Sequence, residues 1–280
     1  MSTGFITVFV LTKGCRYDII IKKGWKILFL NEISKKYIKK ALSDSAYDIE
    51  VKRSVSSTNT LMKEKAHNSA KEFSVLIASM QTGGRGRMGR TFHSPHGTGI
   101  YMSILLKNRE GRSPLLITTD AAVCVARVLE KMAKEKAEIK WVNDIYMRGK
   151  KVCGILTEGV GEYAVLGIGI NVLPPQKGFP KDIKDIAGAV FERKKLYLRE
   201  EVIIKLLDEF MNVYEKPERE KILSEYKERS IVLGKEIFIL KNGNSEPATA
   251  VDITDDYFLV VKKENGEISY LNSGDVSIKI

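Results

Sequence analysis

Cysteine and histidine are scarce in this chain of 280 residues, with three of each, and no long apolar run occurs. Cys15, Cys124 and Cys153 are odd in number and widely spaced, and they contain no CxxC pair. That excludes a disulfide framework and a cysteine-held zinc site, and it points to a reducing, cytoplasmic setting. His67, His93 and His96 lack metal-like companions, and no Ser-His-Asp set suggests itself. His93 and His96 fall in a glycine-rich loop and read as loop surface. The apolar stretch in MSTGFITVFVLTKG has no basic residue before it and is closed by Lys13. It is too short to span a bilayer and lacks signal-peptide order, so it reads as a buried strand. There are no internal repeats and no low-complexity segments.

Positive charge, by contrast, is in excess. Lys and Arg number 46 against 35 Asp and Glu, a net charge of +11. Such a balance suits anionic partners such as nucleotides, nucleic acid or acidic proteins, without choosing among them. About half the excess lies in residues 1–45, which hold nine Lys/Arg and three Asp/Glu. That short basic piece admits nucleic-acid contact or a merely solvated surface. At this length, one large core or a main core with a small satellite can be buried.

Periodicity divides the chain in three. In residues 1–45, YDIIIKKGWKILFL alternates as a hairpin turning at Lys23-Gly24, and NEISKKYIKKAL places Ile33, Tyr37, Ile38 and Leu42 at helical spacing. Residues 46–229 are mixed. IEVKRSV, FSVLIASMQ, GIYMSILL, AEIKWVNDIYM, KVCGILTEGV and YAVLGIGINV read as strands, and SSTNTLMKEKA and residues 115–136 as helices. A long amphipathic helix over about 199–215 sets Val202, Leu206, Phe210 and Met211 on one side. In residues 230–280, EIFIL, PATAVDIT, YFLVVKK, EISYLN and VSIKI are short strands split by turns such as Asn265-Gly266, which predicts a small β-barrel. The fold class is α+β.

Four stretches carry chemical promise. GGRGRMGR sets Arg85, Arg87 and Arg90 among Gly83, Gly84, Gly86 and Gly89, directly after an apolar strand. Glycine costs ordering entropy and neighbouring like charges repel, so the stretch makes little sense as a stabilising loop. It suits the wrapping of an anion by backbone N–H groups and guanidinium forks. Its context fits neither the P-loop nor a strand-to-helix dinucleotide fingerprint. In KWVNDIYM, Lys140 precedes an apolar tryptophan, and Asn143-Asp144 follow. Lys140 there meets either Asp144 or a ligand anion. SSTN (residues 56–59) reads as a helix N-cap or as a cluster of small polar groups for a neutral head group. In GIGIN (167–171), glycines permit close approach of a flat ligand and Asn171 can read a base edge.

STN, QTGGRGRMGR, SPHGTGIYMS, KWVNDIY, GILTE and GIGIN, in this order, closely resemble the biotin protein ligases, from about residue 46 to the closing LNSGDVSIKI. The resemblance implies a class II aminoacyl-tRNA-synthetase-like catalytic domain followed by an SH3-like C-terminal domain. It implies an enzyme that makes biotinyl-5′-adenylate from biotin, ATP and Mg²⁺, then passes the biotinyl group to a lysine of a carboxylase's biotin carboxyl carrier domain. Carried over by position, Ser57, Thr58, Asn59 and Gln81 meet the biotin head, with Tyr101, Ser103, Gly154 and Ile155 lining its pocket. Arg85, Gly86 and Arg87 form the biotin- and phosphate-binding loop, and Lys140 contacts the acyl and phosphate oxygens. Lys140, Arg85 and Arg87 are therefore the expected catalytic residues. The nucleotide falls to Arg87, Arg90, Phe92, Asn143 and Asn171. No metal ligands are assigned.

Two positions depart from the family pattern. Val142 stands where proline is usual, and Phe92 where a larger aromatic, often tryptophan, covers the adenine. Larger members carry a winged helix–turn–helix that represses biotin genes. Here GCRYDIIIKKGWKILF resembles only a wing hairpin, with no room before it for a recognition helix, so residues 1–45 read as a remnant of such a domain or the true start lies upstream, and sequence-specific DNA binding is not expected. A homodimer is left open. Two alternatives stand beside the ligase: a lipoate-protein ligase of the same fold, whose usual glycine-rich signature differs, and a biotin-responsive DNA-binding repressor.

Overall fold

The computed structural model describes residues 7–10, 19–23, 26–28, 32–68, 70–108, 112–241, 244–272 and 274–278, with the side chains of residues 7–28, 241 and 275 excepted. A three-stranded antiparallel sheet comes first, from β1 (Thr7–Val10), β2 (Ile19–Lys23) and β3 (Lys26–Leu28). The expected hairpin is there, with Lys23 opposite Lys26; its turn, and the burial expected of β1, lie outside the described residues.

The main body is a seven-stranded sheet. It uses β4 (Asp48–Lys52), β5 (Ser74–Ala78), β6 (Gly99–Lys107), β7 (Glu138–Lys140), β8 (Asp144–Met147), β9 (Lys150–Val160) and β10 (Tyr163–Asn171). Their order is β4-β5-β6-β10-β9-β8-β7, and only the β4–β5 pair is parallel. Strand alternation gives this sheet two unlike faces. Met102, Ile104 and Leu106 of β6 with Leu166, Ile168 and Ile170 of β10 point to one side. There they pack in one core with α1 (Lys35–Ala41), α3 (Pro114–Ala133) and α4 (Leu198–Glu215). The opposite face carries Leu76, Leu105 and Val165, covered by Met62 and Ala66 of α2 (Thr58–His67). Beyond α2 that second face turns polar and glycine-rich, and the site is built there.

The α4 stripe holds: Val202, Leu206 and Phe210 are fully buried, with Met211 packed against them. Ile33, Ile38 and Leu42 are buried in the same core, so it reaches back beyond residue 46. Tyr37 differs from expectation. One residue before Ile38 on the helix, it is rotated about a quarter-turn away from the core, and it stacks on Tyr197 with ring centroids 4.3 Å apart. AEIKWVNDIYM is not one strand but a hairpin, β7 and β8, turning through Trp141–Asn143. The Trp141–Val142 peptide is cis. A further helix, α5 (Arg219–Glu228), has no counterpart in the sequence reading, because only Ile222 and Tyr226 of its ten residues are buried.

All five C-terminal strands form: β11 (Glu236–Lys241), β12 (Asn244–Ile253), β13 (Leu259–Lys263), β14 (Ile268–Leu271) and β15 (Asp275–Ile278). They make an antiparallel sheet ordered β14-β13-β12-β11-β15, bent by a bulge at Ala250–Asp252. Ile237, Ile253, Leu259, Val261 and Val276 of this sheet are continuous with the main core.

Candidate active site

A cavity of about 440 Å³ opens on the glycine-rich face. Its floor follows from strand register. Gly169 pairs with Tyr101 on one side and Gly154 on the other, and Gly167 pairs with Ser103 and Leu156, so these rows share a face. A Cβ on Gly169 would stand 2.6 Å from the Phe92 ring, and one on Gly167 would stand 2.1 Å from Asn59 Oδ1. Glycine is thus required in β10 because other side chains lie directly on its backbone.

At the inner end, Ser57 caps α2 by accepting from Thr60 N. Thr58 donates its N–H and its hydroxyl to Gln81 Oε1, at 2.8 and 3.1 Å. Gln81 Nε2 donates to Ser94 Oγ at 2.9 Å. Asn59 Nδ2 donates to Leu156 O at 3.2 Å and to Glu158 Oε2 at 2.9 Å. Ser103 Oγ donates to Asn59 Oδ1 at 2.6 Å. Ser57, Thr58, Asn59 and Ser103 are all buried, so each of these bonds is made in low dielectric. Both amide hydrogens of Asn59 are engaged; its carbonyl oxygen keeps one lone pair to offer a ligand.

The opposite end is cationic. Residues 84–92 fold back as a tight loop, with Phe92 N donating to Gly84 O at 2.9 Å and Gly86 N to Arg90 O at 2.7 Å. Gly84 is needed there, since a Cβ would lie 2.4 Å from Phe92 O. Arg87 donates to Asn143 Oδ1 at 3.1 Å and to Gly274 O, in the C-terminal sheet, at 2.9 Å. Arg85 Nη2 is 3.6 Å from Glu158 Oε1. Phe92 meets Tyr101 edge-on, centroids 6.4 Å apart, and lies over Gly154 and Gly169. Burial, the dominant influence, raises the Tyr101 phenol, which stays protonated and donates to Pro95 O at 2.9 Å.

Of the residues expected from sequence, Ser57, Thr58, Asn59, Gln81, Tyr101, Gly154 and Ile155 line the cavity. So do Arg85, Gly86, Arg87, Arg90, Phe92, Asn143 and Asn171. Ser103 stands behind Asn59 rather than in the wall. Lys140 is not in the wall. It ends the edge strand β7 opposite Asp144, one strand farther from the cavity. The lysine that does line the cavity is Lys151, whose Nζ is 2.7 Å from Asp144 Oδ1. His93 also lines it, contrary to the surface reading, whereas His96 pairs with Glu32 at 3.0 Å. Phe179, Ile183, Ile186 and Ala187, from a segment without regular structure, complete an apolar wall.

Lys151 escaped notice for a physical reason. Strict alternation places it on the face opposite Gly154, three residues on. Between the Ile145–Cys153 and Tyr146–Lys151 pairs, however, β9 has an extra residue, Val152. That bulge returns Lys151 to the cavity face.

Both the sheet that carries the site and the C-terminal domain match known families. The family model described as "Biotin/lipoate A/B protein ligase family" matches residues 51–173, and that of the "Biotin protein ligase C terminal domain" matches residues 232–279. Aquifex aeolicus biotin protein ligase, solved in complex with biotin and ATP, superposes with a TM-score of 0.71 at 30% identity, covering 83% of this chain and 98% of that one. The bifunctional ligase/repressor BirA of Bacillus spizizenii is 43% identical over 143 residues, 49% of this chain and 44% of the relative, so the match spans less than half of that protein. The biotin–[acetyl-CoA-carboxylase] ligase of Mycobacterium tuberculosis is 28% identical over 212 residues, 72% and 77% of the two chains. The chain belongs to the biotin protein ligase family.

Proposed function

We propose that this chain is a biotin–protein ligase. A biotin carboxylate oxygen attacks the α-phosphorus of ATP, forming biotinyl-5′-adenylate and releasing pyrophosphate. A carrier-protein lysine then attacks the acyl carbon, and AMP leaves. The observation that carries this reading is one cavity with a fixed hydrogen-bond acceptor, Asn59 Oδ1, at one end and Arg85, Arg87, Arg90 and Lys151 at the other. A urea ring donates N–H groups to the first end; a carboxylate and a phosphate meet the second.

Joining two anions requires their repulsion to be neutralised as the pentacoordinate phosphorus forms. Preorganised cations in a closed site do this, and one such contact is worth on the order of 10²–10³ in rate. Lys151 rather than Lys140 supplies the ammonium, because it reaches the cavity. Asp144 holds Lys151, and Asn143 and Gly274 hold Arg87. Phe92, set on the glycine floor, offers a face for stacking. Among the described residues no group of three His, Cys, Asp or Glu could cage a metal. Mg²⁺ would arrive on the ATP phosphates, with Asp144 a carboxylate in the cavity wall, and would supply further charge neutralisation when bound. The acceptor is a biotin carboxyl carrier domain, whose lysine must reach the mixed anhydride between the loop and the wall at 179–187. Among the described residues no helix is long and apolar enough to cross a membrane.

A lipoate ligase is disfavoured by the same acceptor, since a dithiolane ring has no N–H to give it. Pyrophosphate release is the test. It is expected with ATP plus biotin and not with ATP plus lipoate; release with lipoate alone, or with neither, overturns the assignment.

A further inference from the structure

Glu158 does not form part of the cavity wall, yet it touches three groups that serve the site. Its Oε2 accepts from Asn59 Nδ2 at 2.9 Å. Its Oε1 accepts from Lys63 Nζ of α2 at 2.5 Å and lies 3.6 Å from Arg85 Nη2 on the loop. The side chain is only 17% exposed. Burial acts to raise its carboxyl, but hydrogen bonds from Lys63 and Asn59, with the Lys63 and Arg85 charges, outweigh burial and hold it below the ordinary carboxylate range. An ionised carboxylate only accepts hydrogen bonds, as does the Leu156 carbonyl, so together they allow one orientation of the Asn59 amide: NH₂ toward Glu158 and Leu156 O, carbonyl oxygen toward Ser103 Oγ. The second lone pair of that oxygen is then what Asn59 presents in the cavity it lines.

We infer that Glu158 is a positioning residue that couples the reader of the ligand's ring N–H groups to the arginine loop. One carboxylate shares with the Leu156 carbonyl the setting of the Asn59 amide, and it also draws Arg85 onto β9. The ring end of the site is therefore in its reading orientation when the loop is down, and a ligand that satisfies Asn59 reinforces the arrangement that closes the loop. The inference rests on the reading of the cavity as a biotin site. The competing account makes Glu158 a strut, an ion pair with Lys63 that fastens α2 to β9 and nothing more.

Three variants of the full chain separate the two, with biotin titrated by calorimetry and the loop probed by trypsin with and without biotin plus ATP. Glu158→Gln keeps an acceptor for Asn59 and loses the charge. Biotin affinity should stay within about threefold of wild type, while cleavage of the liganded loop rises about two- to fivefold. Glu158→Ala loses both functions, and biotin affinity should fall by about tenfold or more. Lys63→Met should match wild type in both measurements. A Glu158→Gln loop as well protected as wild type overturns the coupling, as does wild-type biotin affinity in Glu158→Ala. A Lys63→Met protein that reproduces the Glu158→Gln loss makes Glu158 the strut. Wild-type protein that takes up no biotin overturns the underlying site reading instead.

Discussion

At the α2 end of the cavity the polar side chains are bonded to one another before any ligand arrives: Thr58 to Gln81, Gln81 to Ser94, Ser103 to Asn59. At the loop end, Arg85 lies between Gly84 and Gly86, Arg87 follows Gly86 directly, and Arg85 is half exposed. The first end rests on a strand floor and a helix N-terminus; the second hangs from a turn in which Met88 and Gly89 both adopt positive φ. The contrast teaches where selectivity and rate should reside. A neutral ring is recognised by geometry, which demands fixed donors and acceptors. Charge neutralisation acts over a longer range and tolerates, even exploits, a segment that admits the ligands and then covers them.

The largest effect expected is at Lys151. Lys151→Ala should lower the rate of pyrophosphate release by on the order of 10²–10³ and leave biotin binding nearly intact, whereas Lys140→Ala should stay within about twofold of wild type. The reverse pattern would move the reacting atoms toward β7. At the fixed end, Gly167→Ala drives a methyl group to within 2.1 Å of Asn59 Oδ1. Overpacking of this kind typically costs about 1–3 kcal/mol, and displacing Asn59 should weaken biotin binding by about tenfold or more in calorimetry. Biotin affinity unchanged in that variant would show the α2 end to be as adjustable as the loop.

Arg87→Ala should act on closure. It loses two hydrogen bonds, to Asn143 and Gly274, so ligand-dependent protection of the remaining loop arginines from trypsin should drop by roughly tenfold. Equal protection in mutant and wild type would mean that Arg85 alone holds the loop. The smallest effect concerns acid. A carboxyl whose folded pKa is depressed, as that of Glu158 is, contributes stability above its unfolded pKa, about 4.3, and loses it as pH falls through the folded value. The difference in melting temperature between wild type and Glu158→Gln should thus be constant from about pH 8 to pH 5 and shrink below about pH 4. A difference that grows on acidification would show that the carboxyl is not held ionised by its neighbours.

Much of this was legible in the residues. The apolar stretches GIYMSILL and YAVLGIGIN foretold strands, and the side chains that clustered in STN, GRGRMGR and GIGIN do meet in one cavity. What escaped was set by pairing rather than by pattern. Lys140 was left between Asp144 and a ligand anion by the residues and was given to the reaction by the family resemblance; hairpin formation at Trp141–Asn143 sets it on an edge strand opposite Asp144. Lys151 was hidden by a bulge that breaks the period of two. Phe179 and Ile183 come from a stretch with no periodicity at all, and only their proximity to the floor gives them a role. Glu158 was not singled out in GILTE, because its three partners are 95, 99 and 73 residues away in the chain.

The contacts from the C-terminal sheet have a consequence for biosynthesis. Gly274 supplies a carbonyl to Arg87, and Tyr257 supplies another to Trp141 Nε1 at 3.0 Å, beside the turn that bears Asn143. Both carbonyls belong to residues made long after the catalytic sheet has left the ribosome. A nascent chain that has completed its sheet, or a chain clipped in its last strands, carries the arginines without the struts that aim them. Aiming of the loop arginine therefore waits on residues far along the chain: until they are in place, Arg87 lacks its Gly274 partner and Trp141 its Tyr257 partner.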